Sequence, residues 1–496
     1  MATLATRVLS SSGAMLIIRF SQRGLGLIST LVLARLLTPD DFGLVAIVTI
    51  VIQLFDVVAT TGSAQYIIQK SELDGDDLNT AWTIDIIMKA GLQVVLVLSA
   101  PLVSDYYEKP ELVTAIWVAS FSLPITALLN PGLILLKKSL NYWPILKLSI
   151  IQKMISFLTV ISIALIHPSY WAMIIGDLVS AAGFTIGSYI IHSYKPALNL
   201  NRIKTQWSFS QWILLKSIFG YTRSQIDTVL VSSYFSIADV GKYHLTKHLS
   251  SIPAKDIISP SIEPLLSAFS ITKAKRPENL SQNLRISIAS ISFFVVPLCF
   301  FIWHYPKEII DPLLGDKWSD THGILSAFTF LIFSMSINQL LESYCISQGK
   351  VRQVFFYDVL SMAWIIVILT AIDYDQLEEF ALYRSLAGFL LSFIFLFYVN
   401  SFAKINIIKL MFLSAPPFII SSFMLIIVDA VSPYLYSQKL IYLVLISLIY
   451  FSLYFIVSFA VFIYLYPNNS DIKIVINFIK ENLTSTLIKR QKRRDF

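Results

Sequence analysis

The stretch Gly241–Asp256, "GKYHLTKHLSSIPAKD", holds two histidines, three lysines and an aspartate in a chain that is 56% hydrophobic and 14% charged. It could be a surface loop, a water-exposed helix, or polar residues set inside a membrane. Helical periodicity separates these. At about 100° per residue, His244, Lys247, His248, Ser251 and Lys255 share one arc of roughly 100°. Leu245, Leu249 and Ile252 lie elsewhere, and Asp256 joins the apolar side. Pro253 lacks an N–H and predicts a kink near the middle of this helix.

The surrounding chain sets the medium. Over 496 residues the mean hydropathy is +0.69, and the charged fraction falls well below the roughly 25% of soluble domains. Apolar runs recur from residue 12 to residue 466, and a bilayer core takes about 20 apolar residues per helix. The expectation is an all-α integral membrane protein of about 14 transmembrane helices. They fall at 12–37, 42–67, 80–103, 112–136, 144–167, 170–194, 209–235, 241–269, 284–305, 320–347, 351–372, 377–402, 406–430 and 438–466. The N-terminus has no long apolar core and no small-residue cleavage site, so it reads as an uncleaved start. The two cysteines, Cys299 and Cys345, lie in apolar spans and offer no disulfide framework.

Loop charge predicts orientation. With the N-terminus in the cytoplasm, cytoplasmic segments carry 21 Lys and Arg and the opposite segments carry 6. Cytoplasmic loops are the positive ones, so both termini are expected there. The tail "KRQKRRDF" then reads as a headgroup anchor, and no nucleic-acid role is expected.

An internal repeat is legible at an offset of 198, which places Asp41 on Asp239 and Gly43 on Gly241. Leu31, Val32 and Leu33 face Val229, Leu230 and Val231; Thr49 falls on Lys247 and Gln53 on Ser251. Both copies read as apolar helix, short turn with Asp then Gly, and a more polar helix. Six spans separate them, and an even number preserves direction. Two parallel-related six-helix lobes are expected, 1–200 and 201–403, followed by two additional helices over 404–470 and a basic tail over 471–496.

Three further spans carry polar stripes: Arg19, Gln22, Arg23, Gly26 and Thr30; Thr49, Gln53, Asp56 and Thr60; Lys216, Gly220, Arg223 and Asp227. A charge at the bilayer centre costs at least about 2.5–3.5 kcal/mol on insertion scales, so several on one helix need water, a partner or a snorkelling path. The simplest arrangement sets the four striped helices around one central cationic cavity. Its ligand would be anionic, with phosphate the obvious group for Arg and Lys. The plainer alternatives are pairing of Arg223 with Asp227, four residues apart, pairing of Asp85 with Lys89, and snorkelling of Arg19. Asp56 and Asp227 are candidates for ion coupling or for structural pairs. His244 and His248 are spaced as zinc-binding histidines often are, but no third ligand and no "HExxH" accompany them, so no metal or cofactor is expected.

The residues also resemble a known family. "LARLLTPDDFGLVAIVTIVIQLFDVVATTGSAQYIIQK" (Leu33–Lys70), "QIDTVLVSSYFSIADVGKYHLTKHLSSIPAKDIISPSIEPLLSAFS" (Gln225–Ser270) and "LLGDKW" (Leu313–Trp318) are similar to polysaccharide exporters of the O-antigen and colanic-acid type. These belong to the multidrug/oligosaccharidyl-lipid/polysaccharide (MOP) flippase superfamily. The resemblance implies a V-shaped cavity between two lobes and alternating access. The cargo would be an undecaprenyl-pyrophosphate-linked oligosaccharide crossing the bacterial inner membrane. By this likeness Arg19, Arg23, Arg223, Lys247 and Lys255 would meet the pyrophosphate or acidic sugars; Gln53, His244, His248 and Ser251, placed by the stripes, are expected in the same cavity. Expected partners are the lipid-linked oligosaccharide, bilayer lipids, the polysaccharide polymerase machinery, and H+ or Na+ as coupling ion. A lipid II flippase or multidrug exporter of the same superfamily is the alternative. A membrane-embedded polymerase or ligase fits less well. Its catalytic outer loop is missing, and no nucleophile–base pair stands in the chain.

Overall fold

A computed structural model describes residues 23–59, 62–70, 72–139, 141–435 and 438–465, and these are helical between short turns. Nine of the described helices are long and apolar enough to cross a membrane. The number is up to 11 if the bent pairs Glu111–Ala127 with Gly132–Lys138 and Asp316–Ala327 with Thr329–Ser347 each count as one span. These correspond in the chain to 11 of the about 14 expected spans. The other three are the first, seventh and eighth. The first lies partly outside the described residues. The other two form helices, Ile203–Tyr234 and Ile237–Ile252, and the second continues through Ser259–Lys275. Neither is among the helices long and apolar enough to cross: Ile237–Ile252 has 16 residues, and Ile203–Tyr234 carries the polar stripe with Arg223 and Asp227.

The described residues pack as two units. The first contains the chain as far as Lys247, with Leu313–Thr321 and Asp358–Phe380. The second contains His248–Pro312, His322–Tyr357 and the chain from Ala381 onward. The polar helix of the opening stretch thus contributes to both, passing from one to the other between Lys247 and His248.

In the first unit the two copies of the repeat meet. Thr38 caps the Pro39–Ala59 helix reciprocally with Asp41: the Thr38 N–H and hydroxyl donate to Asp41 Oδ2 at 3.0 and 2.7 Å, and Asp41 N–H donates back to Thr38 Oγ1. Proline at the first helical position costs no hydrogen bond there. At the same offset, Ser236 Oγ donates to Asp239 Oδ2 at 2.7 Å and accepts from Asp239 N–H. The first is a full capping box, the second the same reciprocal cap made through the hydroxyl, and the two helices they start approach closely at glycines. A Cβ on Gly43 would sit 1.9 Å from the Ile237 carbonyl oxygen, and one on Gly241 would sit 2.0 Å from the Pro39 carbonyl oxygen. Residues 39 and 237 are themselves 198 apart, so the two approaches are equivalent under the repeat.

The start of Ile203–Tyr234 is fixed by the N-terminal end of Gly75–Tyr107. Asn199 and Asn201 amides donate to the two oxygens of Asp76, at 2.7 and 2.9 Å. Arg202 pairs with Asp74 at 2.7 Å, and Asp74 also caps the Gly75–Tyr107 helix. The Arg202 guanidinium and the Asp77 N–H together lower the Asp74 carboxyl to about 2.

In the second unit, the kink expected at Pro253 takes the form of a π-helical turn over Pro253–Ile258. The Ser259 N–H closes on the Ala254 carbonyl, five residues back. One residue is inserted where proline cannot complete the regular ladder. Beyond it, Leu280–His304 packs with Thr329–Ser347 and with Ile407–Val431. Phe301, Tyr450 and Tyr454 are among the fully or nearly buried side chains of that core. Tyr450 and Tyr454 hydroxyls donate to the Pro297 and Phe293 carbonyls, so these large rings bury their polar ends without a loss.

Candidate functional site

The charged stripes of the first unit are resolved into cross-helix pairs. Asp227, on Ile203–Tyr234, is fully buried. Lys247 Nζ lies 2.5 Å from its Oδ1, and Tyr243 OH donates to its Oδ2 at 3.0 Å. The Thr228 N–H supplies a further donor at 2.9 Å, and Lys247 also donates to the Ser224 carbonyl at 3.0 Å. A carboxylate removed from water needs such donors, because desolvation otherwise costs more than a single pairing returns. Lys247 and Tyr243 reach it together because they are four residues apart on one helix.

Arg223, one turn before Asp227, extends to Asp358 on Val351–Thr370, with 2.8 Å between Nη1 and Oδ1. Asp56 receives Lys89 at 3.0 Å, and Lys89 also donates to Thr126 Oγ1. The pairings legible in the sequence are local, Arg223 with Asp227 and Asp85 with Lys89. The contacts found bridge separate helices: Ile203–Tyr234 to Val351–Thr370 and to Ile237–Ile252, and Pro39–Ala59 to Gly75–Tyr107. The Ile203–Tyr234 helix is also tied to Pro39–Ala59 directly, since Tyr221 OH donates to the Ile50 carbonyl at 2.9 Å.

The remaining site candidates divide by exposure. Arg23 and Gln53, in the first unit, are exposed, and His244 is half-buried. In the second unit His248 is exposed and Ser251 is buried, its hydroxyl donating to the His248 carbonyl at 2.9 Å. Lys255 is exposed within the π-helical turn. Arg19, Gln22 and Thr60 lie outside the described residues, as does the Lys216 side chain. Among the described residues no cluster of three His, Cys, Asp or Glu could hold a metal ion.

Sequence reasoning did not assign Lys89, Tyr243 or Asp358 to these pairs. In the sequence Asp358 is a single acid in an apolar run, readable as a hydrogen-bonded structural group or as a proton or cation site, with no partner indicated. Tyr243 carried no signal, since an aromatic residue in a membrane helix is unremarkable by itself. By its resemblance the Leu313–Trp318 motif belongs to an outer loop after the ninth span, and nothing in its sequence says what Trp318 touches. Trp318 is fully buried in the first unit, its indole N–H donating to the Ala34 carbonyl at 2.8 Å.

Comparison with known proteins places this arrangement. The family model "Polysaccharide biosynthesis protein" matches residues 32–322. The succinoglycan biosynthesis transport protein ExoT of Rhizobium meliloti is 22% identical over 304 residues, 61% of this chain and 61% of ExoT. The lipopolysaccharide biosynthesis protein WzxC of Escherichia coli is 22% identical over 340 residues, 68% of this chain and 69% of WzxC. The teichuronic acid biosynthesis protein TuaB of Bacillus subtilis is 21% identical, with 64% of this chain and 70% of TuaB covered. The chain thus spans 61% of the length of ExoT and somewhat more of WzxC and TuaB. Among solved structures, the lipid II flippase MurJ in an inward closed conformation matches with a TM-score of 0.70 at 16% identity, covering 91% of this chain and 98% of MurJ. An inward-facing MATE family transporter of the MOP superfamily matches with a TM-score of 0.59 at 10% identity, over 78% of this chain and 98% of that one. These two likenesses describe the fold. With more than half of its length under one family model, the chain belongs to the polysaccharide biosynthesis protein family.

Proposed function

We propose that this chain is a flippase that moves an undecaprenyl-pyrophosphate-linked oligosaccharide, an O-antigen or exopolysaccharide repeat unit, across the bacterial inner membrane by alternating access. The observation that carries the reading is the set of cross-helix ion pairs, Lys247–Asp227, Arg223–Asp358 and Lys89–Asp56. Two of them sit on the helix Ile203–Tyr234, which is too polar to face lipid throughout. Helices of this kind are economical only where they line a hydrated path or one another. Family membership, and relatives named for the transport or biosynthesis of succinoglycan, lipopolysaccharide and teichuronic acid, favour a glycan carrier over a drug exporter.

On this reading the polar helices complete 14 spans in two lobes, 1–200 and 201–403, with two added helices and both termini cytoplasmic. Arg19, Arg23, Arg223, Lys247 and Lys255 face the pyrophosphate or acidic sugars, with Gln53, His244, His248 and Ser251 beside them. Asp56 and Asp227 act as structural counter-ions or couple transport to H+ or Na+, and the polymerase machinery receives the product. In proteoliposomes, the purified protein should move a fluorescent undecaprenyl-pyrophosphate-linked oligosaccharide between leaflets. Arg23→Ala and Lys255→Ala should slow it at least tenfold at normal protein level. Absence of movement by the wild-type protein refutes the function; wild-type rates in both variants remove those two residues from the site.

A further inference from the structure

The segment Leu313–Thr321 leaves and re-enters the chain of the second unit, yet packs as part of the first. Its anchor is Trp318. The buried ring meets the edge of Phe42 at 5.2 Å between centroids and 89° between planes. Around it lies a set of donors aimed at the end of the first described helix, which runs over 23–36. The last carbonyls of a helix have no partner within it. Here the Trp318 indole N–H takes the Ala34 carbonyl, and Lys317 Nζ approaches the Arg35 and Leu37 carbonyls at 3.4 and 3.5 Å. A cation at a helix C-terminus also meets the favourable end of its dipole. Arg35 Nε answers by donating to the Leu313 carbonyl at 3.4 Å.

The same segment reaches the other copy of the repeat. Asp320 pairs with Lys242, one residue beyond Gly241. The strap therefore spans both helix starts that cross at Gly43 and Gly241. Its own geometry suits movement. Gly315 holds a left-handed φ of 93°, and the following turn, Asp316–Thr321, is a short 3-10 segment. Such a turn is held by few internal bonds. Leu314 and Trp318 are its buried apolar side chains, and the Lys317, Arg35 and Asp320 contacts around them are polar and partly exposed.

We propose that Leu313–Thr321 is a releasable latch. Docked, as here, Trp318 and Asp320 hold the two repeat-related helix starts together; undocked, they let the Gly43–Gly241 crossing part during the transport cycle. This rests on the translocation reading above, and two measurements separate the two ideas. The first needs no transport. In a Cys299→Ala/Cys345→Ala background, a thiol at position 321 (Thr321→Cys) replaces a fully buried strap residue. Its labelling by a membrane-impermeant maleimide should be slow with Trp318 and at least tenfold faster with Trp318→Ala. Trp318→Phe, which keeps an apolar plug, should fall between. Equal rates in all three overturn the docking role of Trp318 and the latch with it. The second uses Lys242→Cys with Asp320→Cys, bridged in proteoliposomes by a short bis-methanethiosulfonate, which forms a disulfide with each thiol and releases sulfinate. Bridging should abolish movement of the lipid-linked oligosaccharide, and reduction should restore it. Full transport while bridged overturns the latch. If the reduced protein and the wild type both move nothing, the translocation reading is refuted, and the labelling series alone decides the latch.

Discussion

Replacing Gly43 with alanine tests whether the sequence repeat is a physical contact. The added Cβ would lie 1.9 Å from the Ile237 carbonyl oxygen, and its counterpart on Gly241→Ala 2.0 Å from that of Pro39. Ordinary contact begins near 3.4 Å. The helix starts would have to separate by about 1.5 Å, because the opposing atom is backbone and has no rotamer to change. Overpacking costs about 1–3 kcal/mol, and a rigid opposing atom favours the upper end, roughly a hundredfold in the folding equilibrium. The double variant should cost clearly less than the sum of the two singles. A Cβ on Gly241 would also lie 2.7 Å from the Gly43 nitrogen, so separation forced by one methyl makes room for the other. Unfolding of detergent-solubilised protein in denaturant, followed by near-UV circular dichroism, measures all four corners of the cycle. Singles as stable as wild type, or strictly additive losses, would refute the crossing.

Other outcomes follow from the ion pairs. Asp227→Asn and Lys247→Met should each destabilise by about 3 kcal/mol, as expected when one member of a buried pair is removed, while the double variant should be milder than the worse single. A double variant that costs the sum would show that the pair is not a unit. Arg223→Gln and Asp358→Asn should show similar coupling of smaller size, since both side chains retain some exposure, 31% and 16%; independent effects would break that link. Asp74 titrates low, at about 2, because Arg202 and the Asp77 N–H favour its charged form. Its contribution is present above the ordinary carboxylate range and is lost as pH falls from about 4 through about 2. Arg202→Gln should move that loss upward, read by the pH dependence of proteolysis at the 192–202 segment; an unchanged profile would exclude the pair as its cause.

Much of the architecture was written in the chain. Runs of about 20 apolar residues announce membrane helices because lipid offers no partner for an open backbone. Pro253 marked a break, and the spacing of Asp41–Gly43 and Asp239–Gly241 marked two equivalent helix starts. The two helices absent from the apolar set, Ile203–Tyr234 and Ile237–Ile252, are also the ones whose sequences carry the polar stripes.

The sequence could not choose partners for those residues. Periodicity assigns a side chain to a face of its own helix, and it names only neighbours three or four positions away. Arg223 met Asp358, Lys89 met Asp56 and Trp318 met Ala34, separations of 135, 33 and 284 residues. The Gly241–Asp256 stretch shows both sides of this limit. Its sequence determined by itself a polar-faced helix with a break at Pro253. Only tertiary structure decided that Lys247 is bound to a buried carboxylate, while Lys255 stands exposed on a widened turn. Which helix lies opposite a charge is set by packing of the whole chain, and the desolvation of that charge depends on the answer.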